Sequence, residues 1–143
     1  MKIAVDTNVF VSGWLWRGTP ARLFQLAREN QLTICVSEPI LTELETTLSK
    51  QKLQIKIRSL SFTVNSLMNG TRQMVTVYPI RTINFPELRD PKDNMVLGNA
   101  VAAEAEAIVT GDRDLLVLQE YEEIPIFTAR EFLDRYFPEN PEN

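Results

Sequence analysis

The chain has 143 residues, of which 44% are hydrophobic and 24% charged, as expected for one folded globular domain. It contains no histidine, which excludes Ser-His-Asp and Cys-His catalysis and histidine-ligated zinc sites, so a catalyst must use carboxylates, lysine, hydroxyls or a hard metal ion. The formal net charge of −4 argues against broad, metal-free binding to nucleic acid, although a nuclease whose metal ions carry the positive charge stays compatible with it.

The single cysteine, Cys35, excludes an internal disulfide and is typical of a reducing cytoplasm. It lies in the apolar run of residues 32–36, so we expect a small core residue rather than a nucleophile. No apolar run approaches the roughly 20 residues of a membrane helix, and Asp6 interrupts the first apolar stretch before a signal-peptide core can form. We therefore expect a cytoplasmic protein with no membrane association.

The first eight residues carry the first functional signal. Residues 3–5 form a short apolar run, typical of a strand buried on both faces in a parallel sheet. Asp6 follows at once, where the ligand crevice of an open α/β sheet begins. Asp6, Thr7 and Asn8 are also good turn residues, and on this stretch alone a cap or turn is the favoured interpretation. Three further acids beside predicted strands and helices favour a functional role.

The next segment predicts a helix after a pair of tryptophans. Trp14 and Trp16 precede Thr19, which fits an N-cap, and Pro20, which fits the first helical position. Asn30 is a plausible end of this helix. Packing against the core or a partner chain is the favoured role of the tryptophans, and stacking on RNA bases is the alternative.

A second strand over residues 32–36 leads to a helix that Ser37 caps. Glu43 and Glu45 border the apolar stripe of this helix on opposite sides, and periodicity alone does not choose between them. Residues 50–73 are mostly helical in composition. Their first half is basic, and a solvated helix face is favoured over a nucleic-acid patch; the cations are Lys50, Lys52, Lys56 and Arg58.

A third strand is predicted over residues 74–78, and a crossing loop over residues 80–88. Asp90 fits the N-cap of the following helix, which runs to about Glu106; a metal role for Asp90 is the less favoured alternative. Asp93 projects to the middle of the apolar face of this helix. A carboxylate placed there needs a partner, because burying an unpaired charge is costly.

Residues 107–109 form the fourth predicted strand and repeat the opening pattern, with Thr110 and Asp112 directly after it. A short helix follows Asp112, and residues 124–127 form a fifth strand. Thr128 and Glu131 are a capping box for the last helix.

The alternation of short apolar strands with helices predicts a three-layer α/β/α domain with a central parallel sheet of about five strands. The domain would span residues 1–137, with residues 138–143 as a short acidic tail. Right-handed crossovers place the carboxyl ends of all parallel strands on one edge. Asp6 and Asp112 then lie on that edge, and Glu43 and Asp93 come from near the first turns of helices that start there.

Four clustered carboxylates repel one another by roughly 4 kcal/mol per close pair at an effective dielectric near 20. Such a cluster persists when a cation occupies it or when some members stay protonated. Oxygen ligands select Mg²⁺ or Mn²⁺ over zinc, and Mg²⁺ typically shares its shell with phosphate. The chemistry that suits this group is metal-assisted hydrolysis of a phosphodiester.

Four stretches spread over nearly the whole chain together resemble the PIN-domain family, and within it the VapC-type ribonuclease toxins of bacterial toxin–antitoxin pairs. Each stretch is a weak signal alone, and the set in this order is a strong one. The stretches are Val5-Asp6-Thr7-Asn8, Ser37-Glu38-Pro39-Ile40-Leu41-Thr42-Glu43-Leu44, Asp90-Pro91-Lys92-Asp93-Asn94 and Val109-Thr110-Gly111-Asp112-Arg113-Asp114-Leu115-Leu116.

The resemblance implies an Mg²⁺- or Mn²⁺-dependent endoribonuclease that acts on single-stranded or structured RNA. It selects Glu43 over Glu45, and it implies a catalytic, metal-binding quartet of Asp6, Glu43, Asp93 and Asp112. The resemblance also implies polar support from Thr7, Asn8 and Thr110, while Asp114 either assists or only begins the final active-site helix. A homodimer and an antitoxin partner that fills the groove complete the expectation.

Three other interpretations compete with the nuclease. A phosphatase of the haloacid-dehalogenase type needs a second acid two residues after the first, where Asn8 stands. A response-regulator receiver needs an aspartate after its third strand, and residues 74–79 supply none. The third alternative is a PIN fold that binds RNA or protein without cleavage.

Overall fold

The structure is a computed structural model that describes residues 1–79 and 91–139. Its strands are β1 (Lys2–Val5), β2 (Thr33–Val36), β3 (Val75–Val77), β4 (Ala107–Val109), β5 (Glu120–Tyr121) and β6 (Ile124–Phe127). Its helices are α1 (Thr7–Leu15), α2 (Gly18–Arg28), α3 (Glu38–Leu48), α4 (Gln51–Ser59), α5 (Val64–Met74), α6 (Pro91–Ala102), α7 (Arg113–Leu116) and α8 (Ala129–Tyr136).

The strands form one sheet in the order β3-β2-β1-β4-β6-β5. All neighbouring strands pair in parallel except β5, which pairs antiparallel with β6. The predicted parallel sheet is confirmed, and within the described ranges it has one strand more than the five expected. The extra strand, β5, spans only two residues, which is too short for an apolar pattern to reveal.

Helices cover both faces of the sheet, as the three-layer prediction requires. Alternate residues of β1 point to opposite faces, so Ile3 and Val5 pack into one core cluster and Ala4 into another. The larger cluster joins the sheet to α1, α2, α3, α5 and α8, and the smaller one joins it to α6 and α7. The buried thiol of Cys35 lies in the sheet, which confirms it as a core residue.

The first helix of the structure, α1, starts directly after Asp6 and corrects the predicted start of the next helix. It runs to Leu15, and the chain reverses at Trp16 and Arg17 so that α2 begins at Gly18. Arg17 is the N-cap, with φ 58°, and Gly18 has φ 59°, which glycine adopts without penalty. The predicted N-cap Thr19 is therefore wrong: the short link between helices places it inside the first turn.

The end of α6 also differs from the prediction. The helix stops at Ala102 rather than near Glu106, because Glu104 takes a left-handed φ of 53° and the Ala105 N–H donates to the Ala100 carbonyl at 2.9 Å. This six-to-one hydrogen bond is a Schellman motif. The reversal lets the Glu106 N–H donate to the Lys2 carbonyl at 2.8 Å, so the chain joins the sheet.

The same motif ends α2, where Asn30 has φ 62°, so the predicted stop is confirmed. The capping box of α8 is confirmed as well, since Thr128 and Glu131 exchange hydrogen bonds of 2.9 and 3.1 Å. Ser37 is the N-cap of α3, although its side chain makes no capping hydrogen bond. The predicted loop at residues 80–88, the cap Asp90 and the end of the tail at residues 140–143 lie outside the described residues.

Trp14 is a core residue, as the favoured interpretation of the pair required. It is 8% exposed, its indole Nε1 donates to the Thr71 hydroxyl at 3.0 Å, and its ring packs against Phe24 and Phe62. Trp16 is the C-cap of α1 and is exposed, so core packing is wrong for this residue. In residues 1–79 and 91–139, the helices are too short or too polar to cross a membrane.

Candidate metal centre

The pairing of β1 with β4 brings two predicted acids to the same edge of the sheet. Val5 is in register with Val109, so Asp6 and Thr110 leave the sheet side by side. The Thr110 hydroxyl donates to Asp6 Oδ2 at 2.7 Å and accepts from the Asp112 backbone N–H at 3.0 Å. One buried hydroxyl thus fixes the Asp6 carboxylate and the turn that carries Asp112.

Asp6 also caps α1, which confirms the cap that its opening stretch predicts. Its Oδ1 accepts the Asn8 backbone N–H at 3.4 Å, and the side chain is buried, with the residue 8% exposed. Burial raises the pKa of Asp6, the hydrogen bonds from Thr110 and Asn8 oppose that rise, and the negative charge of Asp112 adds to it. A buried carboxylate of this kind gains from a nearby cation.

Asp112 is the N-cap of α7, and its Oδ1 accepts the Asp114 backbone N–H at 2.8 Å. The third residue of α6, Asp93, is buried beside it. One carboxylate oxygen from each of Asp93, Asp112 and Asp114 lies within 4.8 Å of the others. Asp114, which the sequence placed only in support, is thus part of the tightest acidic group in the described residues.

All four acids of the predicted quartet line one pocket of about 170 Å³, together with Thr7 and Asn8. Glu43 reaches it from the sixth residue of α3, deeper in the helix than the first turn that the sequence suggested. Its Oε1 accepts a hydrogen bond from the Thr47 hydroxyl at 3.3 Å. Glu45, the other candidate, is exposed and is not among the residues that line the pocket.

Thr47 and Lys50 also line this pocket, and the sequence interpretation did not place them there. For Thr47 the available signal is its spacing, because a residue four positions after Glu43 lies on the same face of α3. Lys50 follows the end of α3 as the N-cap of α4, so helical spacing gives no signal for it. It supplies a positive charge at the rim of an otherwise acidic pocket.

The donor set fits a hard divalent cation. Carboxylates and a threonine hydroxyl offer only oxygen, which Mg²⁺ and Mn²⁺ prefer. Three carboxylate oxygens within 4.8 Å repel one another unless positive charge or protons compensate them. The residues present therefore match the metal that the acidic quartet implies.

A larger cavity, of about 860 Å³, lies elsewhere, between α2 and the end of α8. Arg17, Arg22 and Arg28 line it, and Arg22 donates to the Phe137 carbonyl at 2.9 Å. Glu29 and Glu139 line this cavity as well, so its charge is mixed, and the close acidic group of the described residues lies elsewhere. The small acidic pocket, rather than the larger cavity, contains the carboxylates that a divalent ion would need.

Comparison with known proteins agrees with this geometry. The family model PIN_3, described as PIN domain, matches residues 2–114. A similar fold occurs in a chain of the crystal structure of VapBC2 from Rickettsia felis bound to a DNA fragment from their promoter. The TM-score is 0.59 and the sequence identity 16%, and the match covers 88% of this chain and 97% of that chain. At that identity the likeness concerns the fold alone. No curated protein sequence matches.

Proposed function

Because the chain belongs to the PIN-domain family, we propose that it is a metal-dependent endoribonuclease that hydrolyses phosphodiester bonds of RNA. The observation that carries the proposal is the pocket in which four sequence-distant acids meet, Asp6, Glu43, Asp93 and Asp112. A structural role alone does not require acids from four separate segments to converge, since their mutual repulsion costs stability. A nuclease gains from that convergence because it holds a divalent ion against a phosphate.

Asp6, Glu43, Asp93 and Asp112, which line the pocket, would hold Mg²⁺ or Mn²⁺. Asp114 joins them because one of its oxygens lies within 4.8 Å of oxygens of Asp93 and Asp112, a group that does not include Asp6 or Glu43. When bound, such an ion activates water and stabilises negative charge that develops on the phosphate. The Thr110 hydroxyl orients Asp6 through its 2.7 Å hydrogen bond. Thr7 and Asn8 complete the polar wall of the pocket.

Two groups in the pocket act on the substrate side. Lys50 offers a cation to a phosphate at the rim, since it lines the pocket at the start of α4. The Thr47 hydroxyl donates a hydrogen bond to Glu43 and orients its carboxylate. In this proposal the Glu43 carboxylate accepts a proton from the attacking water. Burial raises the pKa of Asp6, so a cation held beside it would favour the ionised carboxylate.

The proposal extends to the biological setting. We propose that the protein is the cytoplasmic toxin of a toxin–antitoxin pair, that it forms a homodimer, and that an antitoxin protein covers the acidic pocket. The support is the PIN-domain match and the similar fold of the VapBC2 chain. Co-purification of a small protein encoded beside it, followed by mass determination of the complex, tests the partner and the dimer together.

The enzymatic proposal is tested with purified protein and labelled single-stranded RNA, in Mn²⁺, in Mg²⁺ and in EDTA. We expect cleavage with either ion, none in EDTA, and loss of cleavage in Asp112→Asn. Asp134→Asn is the matched control, because Asp134 is an exposed acid on α8 away from the pocket. RNA that stays intact in Mn²⁺ and Mg²⁺, or an Asp112→Asn variant as active as wild type, would overturn the proposal in favour of a non-catalytic RNA- or protein-binding module.

A further inference from the structure

Trp16 is an exposed aromatic side chain beside a basic helix. It is 58% exposed, whereas Trp14, two residues earlier, is buried. The Lys56 ammonium Nζ lies 5.7 Å from the centre of the Trp16 ring, so the C-terminal end of α1 meets α4 at this point. A large aromatic ring left in water contributes little to the core, and tryptophan is enriched at binding interfaces.

The segment around this contact has a charge opposite to that of the whole protein. Residues 50–79 contain no aspartate or glutamate, in a chain that has 19 acidic residues. Lys52 and Lys56 are four residues apart on α4, which places them on the same face of the helix. The cations of this segment are Lys50, Lys52, Lys56, Arg58 and Arg72. Arg72 forms a bidentate ion pair with Glu38, with two hydrogen bonds of 3.0 Å, so the charge offered to phosphate is that of Lys50 and the three cations of α4.

This basic segment begins at the acidic pocket. Lys50 is the N-cap of α4 and lines that pocket. Lys56 follows Lys50 by six positions, a rise of roughly 9 Å along the helix axis. A nucleic-acid strand that enters the pocket can therefore reach Trp16 within a few nucleotides.

We propose that Trp16 and the basic face of α4 bind single-stranded RNA, with one base stacked on the indole and phosphates beside Lys52 and Lys56. The inference rests on the proposed ribonuclease function, because the surface leads out of the same pocket. We assign RNA rather than a protein as the occupant for two reasons. The positive charge of residues 50–79 complements phosphate, and bases of single strands stack on exposed aromatic rings.

The test measures binding separately from cleavage. A fluorescein-labelled oligouridine is titrated with the protein in EDTA, and fluorescence anisotropy gives the affinity. We expect Trp16→Ala to weaken binding at least about fivefold, the lower end for one stacked base, and Trp16→Phe to restore part of the loss. Lys52→Gln and Lys56→Gln should each reduce the dependence of log affinity on log salt by about 0.7.

Arg135→Gln is the matched control for Lys56→Gln. Arg135 also lies over an aromatic ring, 5.8 Å from the centre of Tyr136, but on α8. The affinity of the Arg135→Gln variant for oligouridine should equal that of wild type. Equal melting temperatures verify that all the variants fold. The proposed RNA-binding surface is refuted if the wild-type protein does not bind oligouridine, or if the Trp16→Ala variant binds it as tightly as wild type. Cleavage in Mn²⁺ is scored independently, so a nuclease that lacks this surface remains distinguishable from a protein that is no nuclease.

Discussion

Replacing Asp112 with asparagine should stabilise the metal-free protein, although it removes a residue of the proposed active site. The substitution preserves shape, and asparagine is an equally good N-cap. Its side-chain oxygen can still accept the Asp114 N–H, now at 2.8 Å from Asp112 Oδ1. What it removes is one negative charge from the acidic group.

The size of the effect follows from the 4.8 Å that bounds the distances between the carboxylate oxygens of Asp93, Asp112 and Asp114. Two unit charges at that separation repel by about 3.5 kcal/mol at an effective dielectric of 20. Asp112 and Asp114 are partly exposed, so water screens most of this energy and about 1 kcal/mol of net relief is a reasonable expectation. For a chain of this length, that corresponds to an increase of about 3 °C in melting temperature.

Thermal unfolding followed by circular dichroism measures the effect, first in EDTA and then with millimolar Mn²⁺. Wild type should gain stability from Mn²⁺, because an ion that binds only the folded state stabilises it. Asp112→Asn should start higher in EDTA and gain less from the ion. Asp134→Asn, the exposed control, should behave as wild type in both conditions. A metal-free Asp112→Asn protein that melts below wild type would refute the argument that the clustered carboxylates repel one another.

Three further predictions follow from other parts of the fold. The pKa of Asp6 is raised above its ordinary value of 3.8, so the metal-free protein should lose stability as pH rises from that value through the raised pKa. The Asp6→Asn variant should lack this loss and be at least as stable as wild type near neutral pH, as measured by urea unfolding at several pH values. Gly13→Ala should destabilise the protein by about 1–3 kcal/mol despite alanine's higher helix propensity, since the new Cβ would lie 2.5 Å from Cζ of Phe24. A melting temperature equal to that of wild type would contradict this predicted clash. Thr128→Ala should cost about 1 kcal/mol by removing the side-chain acceptor of the α8 capping box, and unchanged stability in urea would show that the cap contributes nothing.

Local chemistry made much of the fold predictable. Strands β1, β2 and β4 are short apolar runs that are buried on both faces, and such runs are recognisable without any tertiary information. The C-terminal end of α2 depends on Asn30, and the start of α8 depends on the Thr128 capping box. Both signals act within a few residues. The start of α2 was not predictable in this way, because the position of α1 dictates the reversal at Arg17.

The candidate site was also predictable only in part from local sequence. That Asp6 and Asp112 follow strands was visible in the sequence, and the parallel arrangement implied a shared edge. Periodicity left Glu43 and Glu45 equivalent, since both border the apolar stripe. The family resemblance selected Glu43, and the packing of α3 places Glu43 rather than Glu45 in the lining of the pocket. The same holds for Trp14 and Trp16, of which α2 and α5 cover the first and leave the second in solvent.

Residue type and short-range spacing were enough to predict the strand and helix pattern, to exclude histidine chemistry and to place acids beside strand ends. Folding then set which carboxylate oxygens come within 4.8 Å of one another, brought Asp114 into that group and placed Lys50 in the lining of the pocket. Distances between side chains far apart in sequence depend on sheet register and helix packing. No local pattern records them.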